Sequence, residues 1–326
     1  MSDQRPMFEL ISTAIDAAQT WLFESAIQPL LFSLGGMRYQ EDAYAATEWL
    51  LLGVVQVVVL YLVLRPLEAR FPAERWVDRR GVGIDVIYTA LHRLGAFSLV
   101  VFLLLTPLVD GVAEQMHAAG IARPNLDQIW PGVTDRPLAS FLLYLVVLDF
   151  LEYWLHRGQH AFRWWWALHA LHHSQRKMSF WTDDRNHLLD DLLIDAIKAL
   201  VALAIGVEPG QFVGLVIASR VLESLQHANL AWSFGMAGRL LVSPVFHRSH
   251  HAIGIGHEGS YRGCNFGVLF PWWDMLFGTA DWRTSVEPTG IRDQLPAPQG
   301  ADRDYGEGFW MQQWLGIKRL AQALRS

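Results

Sequence analysis

The sequence predicts an all-α integral membrane protein that holds a metal site, and two observations support this fold class. Hydrophobic residues make up 52% of the 326 residues and charged residues only 18%, which is too apolar for an average soluble enzyme. Eight of the 13 histidines fall into three short clusters. We expect about four transmembrane helices in two hairpins, with a cytoplasmic helical cap around a histidine-rich dimetal site, and no β-sheet.

The chain divides into three predicted parts. Residues 1–47 form an N-terminal interfacial helix and linker, residues 48–286 the membrane domain, and residues 287–326 a tail that ends in an amphipathic helix. Within the first part, Asp16 and Glu24 interrupt the apolar run from 8 to 34. This interruption favours a helix that lies in the membrane interface over one that crosses the bilayer.

Apolar segments inside the membrane domain are long enough to cross the hydrocarbon core as helices, which takes roughly 20 residues. The clearest of these segments are 48–67, 85–109 and 137–155. Two further candidates, 188–206 and 210–226, are separated by a turn containing Gly and Pro, so they are predicted to form a helical hairpin.

Basic residues predict the orientation of the chain. The loop after the first span is rich in arginine, and these residues are Arg65, Arg70, Arg75, Arg79 and Arg80. The loop between the second and third spans carries only Arg123 and Arg136. The positive-inside rule therefore places 66–84 in the cytoplasm, and the third span then runs inward and brings the histidine clusters to the cytoplasmic side.

The three histidine clusters have the spacing of metal ligands on helices. They comprise His156 and His160, then His169, His172 and His173, then His247, His250 and His251. Residues three and four apart share one helix face, so each cluster aims its imidazoles at one place. Eight histidines exceed what one metal needs, which implies two metals. Ligand type alone leaves zinc, copper, iron and nickel open.

Other residues narrow the possible functions. Asp149 and Glu152 lie on the helix face of His156 and His160, where either can orient a ligand histidine or make a structural polar contact with a neighbouring helix. Cys264 is the only cysteine, which excludes a thiolate metal cluster. The net charge is −6, and the absence of a basic tract gives no reason to expect nucleic acid as a partner.

The motifs resemble those of the fatty acid hydroxylase and sterol desaturase superfamily of membrane non-haem di-iron oxygenases. The matching segments are DFLEYWLHRGQH (149–160), WWWALHALHHS (164–174), RNH (185–187), QHANL (226–230), FHRSHHA (246–252) and CNFGVLFPWWDMLFGT (264–279). By this resemblance the eight clustered histidines are iron ligands, and His187 and His227 are further ligands. Asn229, Asn265 and Asp274 are implied to support the ligands rather than to bind metal.

The resemblance also implies a reaction and its partners. Two iron ions would use O₂ as co-substrate to hydroxylate or desaturate an unactivated C–H bond of a lipid, such as an acyl lipid or a sterol. The chain has no dinucleotide fingerprint, flavin motif or cysteine cluster, so a separate reductase or ferredoxin-like carrier is expected to supply electrons. Alternatives are a sterol or terpenoid desaturase or C-methyl oxidase of the same family, or a non-enzymatic zinc-binding membrane protein. The sequence does not indicate the oligomeric state.

Overall fold

A computed structural model describes residues 7–76, 78–79, 81–121, 125–207, 209–258 and 262–325, so Arg80 and Arg123 of the orientation argument lie outside the described residues. The helices in this part of the chain are α1 (Met7–Leu22), α2 (Gln28–Ser33), α3 (Gln40–Arg70), α4 (Val82–Arg93), α5 (Ala96–Ala118), α6 (Pro137–Ala161), α7 (Arg163–His173), α8 (Leu188–Ile205), α9 (Pro209–His227), α10 (Pro244–His250), α11 (Trp272–Phe277) and α12 (Phe309–Arg325).

The described residues confirm the all-α prediction. Two isolated antiparallel bridges, Pro72 with Leu230 and Ala252 with Thr289, are the only β-type pairings within the ranges above. Helix α6 lies at the centre of the largest apolar cluster, where its Tyr144 and Leu148 pack with Leu215 of α9 and with Leu269. This packing brings the segment after Cys264 back onto α6.

Three segments are long and apolar enough to cross a membrane. They are Met37–Arg70 with 34 residues, Ala96–Ala118 with 23 and Pro137–Ala161 with 25. Their outer surfaces expose large apolar side chains such as Val59 and Leu104, which suits contact with lipid rather than with water. The chain is therefore an integral membrane protein.

Helices α8 and α9 were expected to add a membrane hairpin. The structure has both helices, joined through Gly206 in a left-handed conformation at φ 78°. Neither helix is among the three candidate spans, and α8 carries Asp190, Asp191, Asp195 and Lys198. Three candidate spans are thus supported by length and composition, and the arrangement of about four spans in two hairpins remains a prediction.

The predicted span over 85–109 is not one helix. Helix α4 ends at Arg93, Gly95 adopts a left-handed conformation at φ 84°, and α5 begins at Ala96. The break between α4 and α5 follows from the polar contacts of Arg93. This side chain is buried and donates hydrogen bonds to Asp183 at 2.6 Å and to Asp184 at 2.7 Å. This ion-pair network belongs to the protein interior near the cap, so α4 cannot continue straight into the lipid-facing helix α5.

The N-terminal helices lie against the start of α3. Helix α1 and helix α2 are joined by π-helical residues Phe23–Ile27. Gln19 Nε2 donates to the Tyr44 carbonyl at 2.9 Å, and the rings of Phe23 and Tyr44 meet edge to face at 5.2 Å. A helical segment over 8–34 is therefore present, and its position in the membrane interface stays a prediction.

Helices α7, α10, α11 and α12 form the cap with the loops between them. The C-terminal helix α12 packs on α7, where Arg319 Nε donates to the Ala167 carbonyl at 3.1 Å. Trp310 and Trp314 remain exposed on its other face. The predicted tail from 287 also contributes to the cap, since Gly290 N donates to the His251 carbonyl at 3.0 Å and Ile291 is buried.

Candidate metal centre

Nine predicted ligands converge in two adjacent groups, each with ligand atoms within 4.8 Å of one another. The first group, in which every member is buried, consists of His156, His160, His169, His173 and His250. The second, also buried, consists of His172, His227, His247 and His251.

Helical spacing explains how two groups arise from three clusters. On α7, His169 and His173 are four residues apart and face the first group, while His172 faces the second. The histidines of α10 are divided in the same way, because His250 belongs to the first group and His247 to the second. Helices α7 and α10 therefore each contribute to both groups and hold them next to each other.

Neighbouring Nε2 atoms have the separation expected of nitrogens that share a metal ion. The distances are 3.1 Å for His160–His173, 3.2 Å for His172–His227, 3.0 Å for His227–His247 and 3.1 Å for His247–His251. Two nitrogens bound at about 2.1 Å to one metal, at about a right angle, would lie about 3 Å apart.

A short loop orients three histidines of the first group through peptide carbonyls. The Nδ1–oxygen distances are 3.1 Å from His160 to Arg262, 2.6 Å from His250 to Cys264 and 2.9 Å from His156 to Phe266. A carbonyl oxygen can only accept, so each Nδ1 carries the proton and donates. Each Nε2 is then a bare lone pair directed into the group.

The residues present fit metal ions. Among the described residues, the buried His169 Nε2 and His250 Nε2 have no hydrogen-bond partner. A buried acceptor without a partner costs roughly 1–3 kcal/mol, and a cation at the centre of converging lone pairs removes this cost. The donor set contains imidazole nitrogens without thiolates, which suits iron, zinc, copper or nickel.

Burial keeps His172, His173, His247 and His250 in the neutral form that binds metal. Desolvation, followed by the proximity of other histidines, lowers the pKa of His172, His173 and His247 well below the usual value. Burial also lowers the pKa of His250 to about 3. These imidazoles therefore remain unprotonated at neutral pH.

Two buried aspartates that were not among the predicted site residues lie against further histidines of the groups. Asp190 accepts from His169 Nδ1 at 3.2 Å and from Trp165 Nε1 at 2.7 Å. His227 Nδ1 donates to the Glu223 carbonyl at 2.8 Å, and Asp183, which is held by Arg93, lies 3.2 Å from the same nitrogen. Both aspartates are close in sequence to the RNH segment at 185–187, and this proximity was the sequence signal that could have identified them as site residues.

Asp149 and Glu152 do not orient a ligand histidine. Asp149 accepts from Leu269 N at 2.7 Å, from Phe270 N at 3.2 Å and from Trp273 Nε1 at 2.8 Å. Glu152 forms an ion pair with Lys198. Asp149 and Glu152 therefore both make structural polar contacts, which was the alternative. Their partners are residues that are distant in sequence and pack against α6.

Asn265 and Asp274 support the loop that orients the first group. Asn265 Nδ2 donates to the Phe246 carbonyl at 2.8 Å, which fastens the loop to α10. Asp274 accepts from Phe266 N and Gly267 N, each at 2.8 Å. Because the Phe266 carbonyl contacts His156, Asp274 supports a ligand histidine through the peptide rather than by direct contact.

Asn229 fastens the end of α9 to the segment after α3. Its Oδ1 accepts from Glu74 N at 3.0 Å and its Nδ2 donates to the Glu74 carbonyl at 2.8 Å. This pair of hydrogen bonds fixes the chain two residues after His227. The role of Asn229 is therefore to position the backbone beside a ligand.

His187 was expected to be a ligand, but the structure does not bring it into either group. Its Nε2 donates to the Gln313 carbonyl at 2.9 Å, and its Nδ1 accepts from Leu189 N at 3.2 Å. Both ring nitrogens are thus occupied by backbone groups. We assign His187 to the cap of helix α8 and its contact with α12, not to metal binding.

A cavity of about 590 Å³ leads to the histidine groups. Five histidines of the two groups contribute to its wall, and these are His156, His169, His172, His227 and His247. Helix α5 contributes mostly apolar side chains to the wall, such as Phe102, Leu105 and Val109. The arrangement can place an apolar molecule from the membrane against the metal centre.

Comparison with known proteins confirms the resemblance of the motifs. Residues 141–279 match the fatty acid hydroxylase family. The chain is 27% identical to "Ornithine lipid hydroxylase OlsE" of Rhizobium tropici over 70% of this chain and 65% of that protein. It is 27% identical to "Alkylglycerol monooxygenase" of Caenorhabditis elegans over 46% of this chain and 28% of the relative.

A plant relative broadens the range of chemistry. The chain is 32% identical to "Delta(7)-sterol-C5(6)-desaturase" of Nicotiana tabacum over 42% of this chain and 48% of the relative. These matches span less than two thirds of each relative's length. No solved structure matches the chain. The similarity therefore extends over the segment with the histidine clusters and includes both hydroxylating and desaturating proteins.

Proposed function

We propose that this member of the fatty acid hydroxylase and sterol desaturase family is a di-iron oxygenase of membrane lipids. The observation that carries the proposal is the pair of buried groups of five and four histidines beside a cavity whose wall also includes apolar side chains of the candidate span α5. An apolar substrate can enter from the bilayer without leaving lipid, while the nitrogens that would hold the metals stay out of water.

Two bound irons would supply the reduction of O₂ and the oxidant that attacks an unactivated C–H bond. For hydroxylation, the lipid C–H group, O₂, two electrons and two protons give the alcohol and one water. For desaturation, a second hydrogen atom is removed from the lipid in place of hydroxylation. The same O₂, two electrons and two protons then give an alkene and two waters. The electrons come from a separate reductase or ferredoxin-like carrier, and we propose that it docks on the cytoplasmic side, where the distribution of arginines predicts the metal centre to lie.

The residues of this chain supply positioning and exclude water. The cavity walls fix which lipid carbon faces the metals, so selectivity between carbons is geometric. The carbonyls of the loop 262–266 and of Glu223, together with Asp190, hold five of the imidazoles in one tautomer. We further propose that α8 and α9 lie partly in the membrane, so that about four helices in two hairpins surround the cavity.

Hydroxylation of an acyl lipid is the function we favour. The similarity to an ornithine lipid hydroxylase covers the largest share of this chain among the relatives above, and that to an alkylglycerol monooxygenase also favours lipid hydroxylation. A sterol or terpenoid desaturase or C-methyl oxidase is the second candidate, and the similarity to a sterol desaturase favours it.

The test combines metal analysis with lipid analysis. Protein purified in detergent from iron-replete cells should contain about two irons per chain, and the lipids of those cells should gain one oxygen or lose two hydrogens relative to cells with a His172→Ala variant. Bound zinc together with unchanged lipids, after reconstitution with iron and a reductant, would instead support the non-enzymatic zinc-binding alternative.

A further inference from the structure

The C-terminal helix α12 exposes its largest apolar side chains and buries polar ones. Trp310, Trp314 and Met311 expose 78%, 53% and 49% of their surfaces. Leu315 and Leu320 are only half-buried. The buried residues of this helix are Gln312, Gln313, Gly316 and Arg319. A helix that packs on a protein in water normally buries its apolar stripe and exposes its polar one, so the outer side of α12 is unsuited to water.

Specific hydrogen bonds fix this rotation of α12. Tyr88 OH donates to Gln312 Oε1 at 3.0 Å and accepts from Gln313 Nε2 at 3.0 Å. Gln313 Oε1 also accepts from Leu188 N at 2.9 Å, and Arg319 Nε donates to a carbonyl of α7 at 3.1 Å. A rotation that turned the tryptophans inward would break these bonds and leave buried polar groups without partners, which costs free energy. The packing of the cap therefore keeps the tryptophans on the outside.

The exposed residues of α12 form one stripe along the helix. From Met311 onward they are spaced three and four apart, and Trp310 lies four residues before Trp314, so they share a helix face. This outward face consists of Trp310, Met311, Trp314, Lys318, Ala321 and Arg325. Lys318 Nζ lies 5.3 Å from the ring centre of Trp314. The helix contains basic but no acidic residues, and tryptophan beside lysine or arginine is typical of helices in a membrane interface.

The outward face begins near the predicted membrane boundary. The first turn of α12 packs on α4, where the rings of Phe309 and Tyr88 lie 4.8 Å apart. Helix α4 follows the loop 66–84, which the arginine distribution predicts to be cytoplasmic, and Tyr88 lies about 9 Å along this helix. Ile87 on α4 and Leu189 on α8, each next in sequence to a residue that contacts α12, expose 52% and 43% of their surfaces. The outward face thus begins beside helices that expose apolar side chains and lead into the predicted membrane region.

We propose that α12 rests on the membrane surface at the histidine end of the candidate spans. Trp310, Met311 and Trp314 lie among the upper parts of the lipid chains, and Lys318 and Arg325 contact the phosphates of anionic headgroups. A lipid surface offers apolar chains beside negative charge, so it suits both parts of the outward face. A second copy of the chain would instead bring a face with basic and no acidic residues against itself. Because α12 is bonded to α7, the membrane then also holds the helix that carries three of the predicted ligands.

Fluorescence quenching at single cysteines tests the position of α12. A fluorophore is attached at Met311→Cys in the full-length protein, with one copy in each lipid nanodisc, and Trp314→Cys is a second reporter. Quenching by lipids that carry a nitroxide on the upper acyl chain is compared with quenching by iodide in water. We expect strong quenching by the lipids and weak quenching by iodide, as at Leu104→Cys on the exposed apolar side of α5. The matched control is Ala301→Cys, an exposed residue of the segment before α12, which should show the reverse. The wild type, whose Cys264 is buried, is the blank.

A further reporter tests the basic end of the outward face. Ala321→Cys lies three residues after Lys318 and four before Arg325, so its fluorophore samples lipids that both side chains bind. Nitroxide-labelled phosphatidylglycerol should quench it more than labelled phosphatidylcholine at equal abundance, because each basic side chain near the surface enriches anionic lipid about fivefold. Lys318→Gln combined with Arg325→Gln should remove this difference. Arg136→Gln, which replaces an exposed arginine at the other end of α6, should leave it unchanged.

The results distinguish the possible occupants of the outward face. Lipid quenching at Met311→Cys together with a preference for the anionic lipid at Ala321→Cys supports the inference. Quenching by iodide alone at Met311→Cys would show that the face lies in water, and protection from both quenchers would show that protein covers it, so either result overturns the inference. Equal quenching of Ala321→Cys by the two lipids would overturn the roles of Lys318 and Arg325. Neither measurement needs iron or turnover, so a negative result leaves the proposed function standing.

Discussion

At the scale of single residues, the first histidine group depends on peptide carbonyls as much as on acidic side chains. The histidines themselves could be predicted because ligands three and four residues apart form a local pattern. Their partners could not, since Phe266 lies 110 residues from His156 and Arg262 lies 102 residues from His160. Every residue has a backbone carbonyl, so the sequence does not indicate which carbonyl accepts a hydrogen bond from a histidine. Only the folded structure shows these contacts.

The same limit explains the roles expected of Asp149 and Glu152. Sequence spacing correctly places them on the face of α6 that carries His156, but it does not specify what lies opposite that face. In the structure the segment 269–273 and Lys198 occupy the two carboxylates. The carboxylate that accepts from a histidine of the two groups is instead Asp190, which lies outside the three histidine clusters.

Asp190→Asn should weaken metal binding in the first group. The substitution replaces a carboxylate oxygen that accepts from His169 Nδ1 at 3.2 Å, so the imidazole loses its fixed orientation. We expect roughly 10–100-fold lower affinity for one of the two metals, measured by competition with a chelator. Asp16→Asn, which replaces an exposed acid on α1, is the control. Unchanged affinity for both metals would contradict the assignment of Asp190.

His187→Ala should lower stability and leave the metal content unchanged. Its ring caps α8 and contacts the Gln313 carbonyl, so its loss should reduce the free energy of unfolding by about 1–3 kcal/mol. Thermal unfolding in detergent and iron analysis measure the two effects. The comparison is His172→Ala, which we expect to lose metal from the second group. Loss of iron from a folded His187→Ala protein would restore His187 as a ligand.

At the scale of elements, hydropathy identified where apolar helices lie but not where they end. The run 85–109 was predicted as one span because its average composition is apolar. The pairing of Arg93 with Asp183 and Asp184 depends on residues about 90 positions away, which a window of sequence does not include. Helices α3 and α6 are each continuous, and they contain the predicted spans 48–67 and 137–155.

Gly95→Ala should destabilise the junction between α4 and α5. Gly95 has φ 84°, where a side chain costs roughly 1–2 kcal/mol, and no other atom lies within 4 Å of the added Cβ. Gly111→Ala within α5 also meets no neighbouring atom but lies in a helix, so it should stabilise by about 0.5–1 kcal/mol. Thermal unfolding of both variants tests the sign. Equal shifts for the two would show that the left-handed conformation is not required.

At the scale of the whole molecule, all ligand histidines meet at one end of the candidate spans. His160 lies near the end of α6, and α7 with α10 completes the two groups beyond that end. The arginine distribution predicts that this end is cytoplasmic. The sequence is sufficient for this prediction, because the orientation of a membrane protein depends on the charges of its loops and not on tertiary contacts.

Labelling of single cysteines tests the orientation. Asp135 is exposed just before the candidate span α6, and Glu307 is exposed just before α12, the helix that packs on α7 after the end of that span. The native Cys264 gives little background, because burial raises the pKa of its thiol to about 12 and the reactive thiolate is scarce at neutral pH. In sealed right-side-out vesicles, a membrane-impermeant maleimide should label Asp135→Cys and should label Glu307→Cys only after permeabilisation. The reverse pattern would place the metal centre on the outer side and would require an electron donor there.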